Sequence, residues 1–167
     1  FPELGTNTLA VSVAAGNGAN STPVFPAAEQ RGGMLSVAAS SRYDLLAPFT
    51  SYGSNWVDVT APGENIVSAL PGGRYGTWSG TSMAAPIVAG IAALLKAQHP
   101  DPATFPAPNA LLRRILQTSV HKSFSAQPWG QVELNRVDAL CAVSNVRPCP
   151  IPANITNYFG FEQFLVK

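Results

Sequence analysis

Apolar and polar positions follow two rhythms along this chain. Short continuous apolar runs bounded by Gly, Pro, Asn and Ser predict buried strands: "LAVSVAA" (9–15), closed by Gly16-Asn17-Gly18, and "MLSVAA" (34–39). Loops rich in small polar residues and proline separate them (20–26), and "SRYDLLAPFTSYGSN" (41–55) is a longer one. "WVDVTAPGENIVSALPGGRYGTWSG" (56–80) reads as short strands broken by Pro-Gly turns. The second rhythm starts at Ser82. "SMAAPIVAGIAALLKAQ" (82–98) is apolar on every side, which predicts a central buried helix ending before His99-Pro100. Thr81 is placed to cap it, with Pro86 in its first turn. A proline-rich linker (101–109) follows. Asn109 then caps a second helix, with Leu111, Leu112, Ile115 and Leu116 on one face. Trp129-Gly130 and "VELNRVDALCAV" (132–143) predict a strand and a last helix, and the chain from Pro148 reads as an irregular tail. Apolar strands alternating with helices make this an α/β fold with a mainly parallel sheet.

Composition narrows the partners. The chain has 167 residues, enough for one sizeable core, and only 11% are charged, with a net charge of +1. No Lys/Arg cluster marks a phosphate-tracking face, so no nucleic acid is expected. No apolar run is read as membrane-spanning, since even residues 84–97 are short and hold a Pro and a Lys, so no membrane is expected. The chain opens on Phe1-Pro2, without a Met or a basic leader, and reads as the middle of something larger. Cys141 and Cys149 either form a local disulfide or stand as two thiols; spacing leaves both open. Two sequons begin at Asn20 and Asn154. With the low charge and the cysteines, they point to a secreted or secretory-pathway protein.

The chemistry concentrates at Ser82, at a strand-loop-helix junction. The free N–H groups and positive pole of the helix would favour negative charge developing beside its hydroxyl. A lone "TS" before a helix would be only a cap. Here "SGTSMAAPIVAG" (79–90) closely resembles the nucleophile motif of the subtilisin-like serine proteases, the subtilases. "SVAAGNG" (12–18) is similar to the family's strand ending in the oxyanion-hole asparagine, and residues 57–83 follow the family pattern almost continuously. Phe25-Pro26-Ala27 resembles its aromatic-Pro element with a cis peptide bond, and "PWGQVELNRVDAL" (128–140) its closing segment. The resemblance implies a three-layer subtilisin-like fold whose N-terminal part is absent here. It implies residues 1–140 as the C-terminal portion of a catalytic domain, with 141–167 an extension of unknown role. It implies Ser82 as nucleophile, Asn17 as oxyanion donor with the Ser82 N–H, and Thr81 as support. Ala14, Ala15 and Gly16 would wall a substrate pocket, and Trp78 and Ser79 would touch substrate near the scissile bond. Ala85 and Ile87 depart from the family's usual Ser and His. Calcium is a family expectation only, and no carboxylate-rich run here would bind it.

A serine needs a base. The family's Asp and His lie well upstream of the asparagine, and neither motif is in this chain. His99 lies 17 residues beyond Ser82 on the same helix, about 25 Å away. His121 follows the second helix, and Asp44, Asp58, Asp101 and Asp138 sit in no orienting motif. An α/β-hydrolase would need a second glycine where Ala84 stands. Sedolisins would have Asp at the position of Asn17. The expected function is therefore serine endopeptidase, with protein or peptide substrates and the missing N-terminal part of the same domain as partners, and with this stretch inactive alone. The alternative is a non-catalytic subtilase-like binding or structural module.

Overall fold

The computed structural model describes residues 9–29, 32–101, 103–104, 108–125, 130–145 and 147. Trp129, Cys149, Asn154 and the tail from Pro148 therefore lie outside the described residues.

Five strands form the central sheet, in the order β1 (Val11–Ala14), β2 (Met34–Ser40), β3 (Val59–Pro62), β7 (Gln131–Arg136), β6 (Val120–Ser125). The first four run parallel, and β6 closes the edge antiparallel to β7. A separate antiparallel ribbon pairs β4 (Ile66–Leu70) with β5 (Arg74–Trp78). Three helices follow the sequence reading closely: α1 (Thr81–Gln98), α2 (Pro108–Thr118) and α3 (Ala139–Ser144). The outcome is the expected α/β architecture with a mainly parallel sheet.

β2 shows why a parallel strand reads as one apolar run: both faces are covered. Leu35, Val37 and Ala39 join Val59 and Ala61 of β3 in a core with Ala84, Val88, Ile91 and Leu95 of α1. Leu111, Leu112 and Ile115 of α2 complete that core. Ala38 faces the other way, where Tyr52, Trp56 and Val57 of the long loop pack with Phe124 and Leu134. Ser36 shares that second face, and its hydroxyl donates to the Trp56 carbonyl at 2.6 Å. Among the described residues the helices cover one face of the sheet and loops the other.

Several expectations shift. α1 is not buried all round. Ser82, Pro86, Ala89, Gly90 and Ala93 are exposed, and Leu94 is 58% exposed, because only one side of the helix lies on the sheet. With 18 residues and mean hydropathy 1.3, α1 does reach the length and apolarity of a membrane-crossing helix, contrary to the reading from residues 84–97. Its packing against β1, β2 and β3 is that of a core helix. Pro108, not an Asn109 cap, opens α2, where a proline's missing N–H costs nothing. β6 has no clear signal in the sequence. "VHKSFS" holds Val120 and Phe124 buried four residues apart, but the polar residues between them obscure the alternation.

Leu95 is fully buried between sheet and helices. In the full-length protein, Leu95→Ala is expected to cost about 2–5 kcal/mol of unfolding free energy, read by urea denaturation.

Candidate active site

The site forms where β1 ends and α1 begins. A helix start leaves its first amides without intrahelical acceptors, so other groups must take them. Gly80 holds the N-cap position, but no side chain caps from there, which corrects the expectation that Thr81 caps. The Gly80 N–H donates to the Gly63 carbonyl at 2.7 Å. The Thr81 N–H donates to Oδ1 of Asn17 at 3.0 Å, across 64 residues of chain. The Thr81 hydroxyl donates to the same Oδ1 at 3.1 Å and accepts from the Gly16 N–H at 3.1 Å. A relay therefore runs from Gly16 through Thr81 to Asn17.

This relay fixes the Asn17 amide. A backbone N–H can only donate, so the atom facing it must be the oxygen. The nitrogen is then turned away, and no described residue accepts from Nδ2. The Ser82 N–H is likewise without an acceptor among the described residues, while the next two amides bond to the Gly80 carbonyl. These two open donors lie close together. A Cβ built on Gly80 would stand 3.5 Å from Asn17 Nδ2 and 3.7 Å from the Ser82 nitrogen, with Met83 Sδ at 3.5 Å. Two N–H donors at the positive pole of an 18-residue helix suit an oxygen that carries negative charge.

Neighbouring elements hold this end in place. Gly63 must be glycine, since a Cβ there would fall 2.6 Å from that of Ala39 and 2.9 Å from the Gly80 carbonyl oxygen. Ser51 accepts from the Gly18 N–H through its hydroxyl, and its own N–H donates to the Gly16 carbonyl. Ser12 Oγ in β1 donates to the Ala85 carbonyl at 2.9 Å, tying the strand to the first turn of the helix. These contacts, and the roles of Gly63, Ser51 and Ser12, have no local sequence signal because their partners are distant along the chain. Pro86 falls one turn further in than expected, so the Ser82 carbonyl lacks its intrahelical N–H partner.

The remaining predicted residues take mixed positions. Ser82 is exposed, and its side chain borders a cavity of about 180 Å³ shared with Ile66, Leu70, Trp78, Met83 and Pro86. Trp78 is 59% exposed at the end of β5. The Ser79 hydroxyl accepts from the Asn65 N–H at 2.8 Å, holding a residue of left-handed backbone (φ 55°). Ala14 and Gly16 are half-buried, whereas Ala15 has no exposed surface and packs on the loop face. The Phe25-Pro26 peptide bond is cis.

Neither histidine comes near Ser82. His99 sits at the far end of α1 as its C-cap residue. His121 lies on β6, four strand spacings or about 19 Å across the sheet from β1, with its ring between Glu133 and Asn135. The carboxylates are structurally engaged. Asp44 pairs with Lys122, Asp58 accepts from the Ser36 N–H, Asp101 accepts from Ala103 N–H, and Asp138 caps α3. Among the described residues no three His, Cys, Asp or Glu side chains converge. Cys141 is buried and disulfide-bonded. Asn20 is exposed, with its Oδ1 accepting from the Thr22 N–H.

Known proteins place the chain in one family. The model of the subtilase family matches residues 4–139. Over 88 residues the chain is 52% identical to Thermophilic serine proteinase of Bacillus sp. (strain AK1), which covers 53% of this chain and 21% of that protein. Over 93 residues it is 50% identical to Subtilisin-like protease 5 of Trichophyton tonsurans, covering 55% and 23%. Among solved structures, prenylagaramide maturation protease PagA superposes with a TM-score of 0.69 at 26% identity, over 80% of this chain and 49% of that one. The self-cleaved protease domain of PatA gives 0.66 at 29%, over 87% and 52%. The chain thus spans under a quarter of these curated relatives and about half of the solved chains.

The Gly16–Thr81–Asn17 relay predicts a clear pair of stabilities. Thr81→Val strands the Gly16 N–H and is expected to cost about 1–3 kcal/mol by thermal denaturation, while Thr81→Ser stays closer to the parent.

Proposed function

The chain belongs to the subtilase family, and on that premise we propose that it carries the nucleophile and oxyanion half of a serine endopeptidase. One observation supports this above all: Asn17 Nδ2 and the Ser82 N–H are both open and both border the space over Gly80. In this reading the Ser82 hydroxyl oxygen attacks the scissile carbonyl carbon, and an imidazole takes its proton. The carbonyl oxygen becomes an oxyanion held by the two donors. The imidazolium then returns the proton to the leaving amine as the C–N bond breaks. Water, deprotonated by the same imidazole, releases the acyl group from Ser82.

The imidazole is not one of this chain's two histidines: His121 lies four strand spacings, about 19 Å, from β1, and His99 about 25 Å along α1 from Ser82. It is assigned, with its orienting Asp, to sequence preceding the Asn17 strand. Residues 1–167 alone are accordingly nearly inactive. Thr81 acts as a support, since it orients Asn17 without reaching the oxyanion itself. Ala14 and Gly16 border the pocket for the substrate side chain on the acyl side, and Trp78 and Ser79 flank the leaving side. The substrate is protein or peptide. The disulfide at Cys141 favours a secretory or extracellular setting.

In the full-length protein, Ser82→Ala is expected to abolish peptide hydrolysis and labelling by a fluorophosphonate; retained serine-independent hydrolysis would refute the reading. Asn17→Ala is expected to lower kcat roughly 10²–10³-fold with KM little changed, the size established for losing one such donor in a subtilisin.

A further inference from the structure

We infer that Gly80 is a steric determinant of the same site: its missing side chain keeps the space between the two oxyanion donors open. The inference rests on the reading of Ser82 and Asn17 given above and adds a residue to it. Gly80 is not required by its backbone. Its φ of 160° and ψ of 159° are extended, a conformation any residue adopts. Nor is it required by packing. The nearest heavy atoms to a Cβ built there are at 3.5 Å or more, which is ordinary van der Waals contact. Gly63 next to it is the contrast, since a Cβ there would overlap Ala39 and the Gly80 carbonyl. Stability therefore accounts for glycine at 63 and not at 80.

What a Cβ on Gly80 would touch is informative. Its three neighbours are Asn17 Nδ2, the Ser82 nitrogen and Met83 Sδ. Two of these are the open donors. A methyl group there would occupy the space they border without disturbing the bonds that orient them, because Oδ1 of Asn17 is held from the other side by Thr81. A donor must reach about 2.7–3.1 Å from the oxyanion to stabilise it. An apolar carbon wedged beside both nitrogens prevents that approach and desolvates them without a partner. Ground-state substrate contacts elsewhere are unaffected, so the loss falls on turnover.

The test compares Gly80→Ala with its parent in the full-length protein. The expected result is a thermal midpoint close to the parent, kcat down roughly 10²-fold or more, and KM within a few-fold. The inhibition constant of a peptide aldehyde, whose serine adduct carries its oxygen in the same space, rises in parallel. Combined with Asn17→Ala, the loss is expected to be far less than additive, because the donor removed is already blocked. Should Gly80→Ala lower the thermal midpoint, Met83→Ala relieves one of the three contacts, and Gly80→Ala is then compared in that background. Turnover within about threefold of the parent, or fully additive losses with Asn17→Ala, overturns the role of Gly80. Active Ser82→Ala protein would instead overturn the reading beneath it, so the two failures are distinguishable.

Discussion

The start of α1 needs acceptors for its first amides, and Asn17 supplies one from 64 residues away. Much of the candidate site depends on that bond. It holds the C-terminal end of β1 against the helix. It also decides which way the Asn17 amide faces, so the nitrogen left over becomes available to a ligand. A structural need at the oxygen thus creates a chemical capacity at the nitrogen. Thr81 doubles the bond with its hydroxyl and passes it on to the Gly16 N–H.

The same junction explains the small residues around it. Ala84, Ala85 and Ala92 let the helix settle on β1–β3, and Gly63 lets the end of β3 touch Gly80. Ser12 adds a bond from β1 to the Ala85 carbonyl, one helical turn beyond Thr81. Ties one turn apart constrain both the height and the tilt of the helix on the strand. Preorganisation of this kind is what electrostatic stabilisation of an oxyanion demands, since donors already aimed need no reorganisation during reaction.

Set against that order is the exposed side of α1. Pro86, Ala89, Gly90, Ala93 and Leu94 form an apolar surface on the flank away from the sheet. It adjoins the cavity between Ser82 and the β4–β5 ribbon. Among the described residues, that flank of α1 meets no other element, and Ser82 has no histidine beside it.

The sequence by itself determined the elements with strong local signals. The mainly apolar β2, the long helix after Ser82 and the leucine face of α2 were legible, because periodicity and burial are properties of neighbouring residues. Ser82 and Asn17 stand out in the sequence only through family resemblance, since either alone reads as a cap or a turn; the structure brings them to one junction. The tertiary structure decided the rest. It turned Thr81 from a cap into a relay, left one flank of α1 uncovered, made β6 a sheet edge that carries His121, and buried Ala15 on the loop face of the sheet. Each depends on which distant segment lies alongside. Hydrogen-bond partners 33 to 73 residues apart leave no periodic trace in the chain, and only folding brings them to 3.1 Å or less.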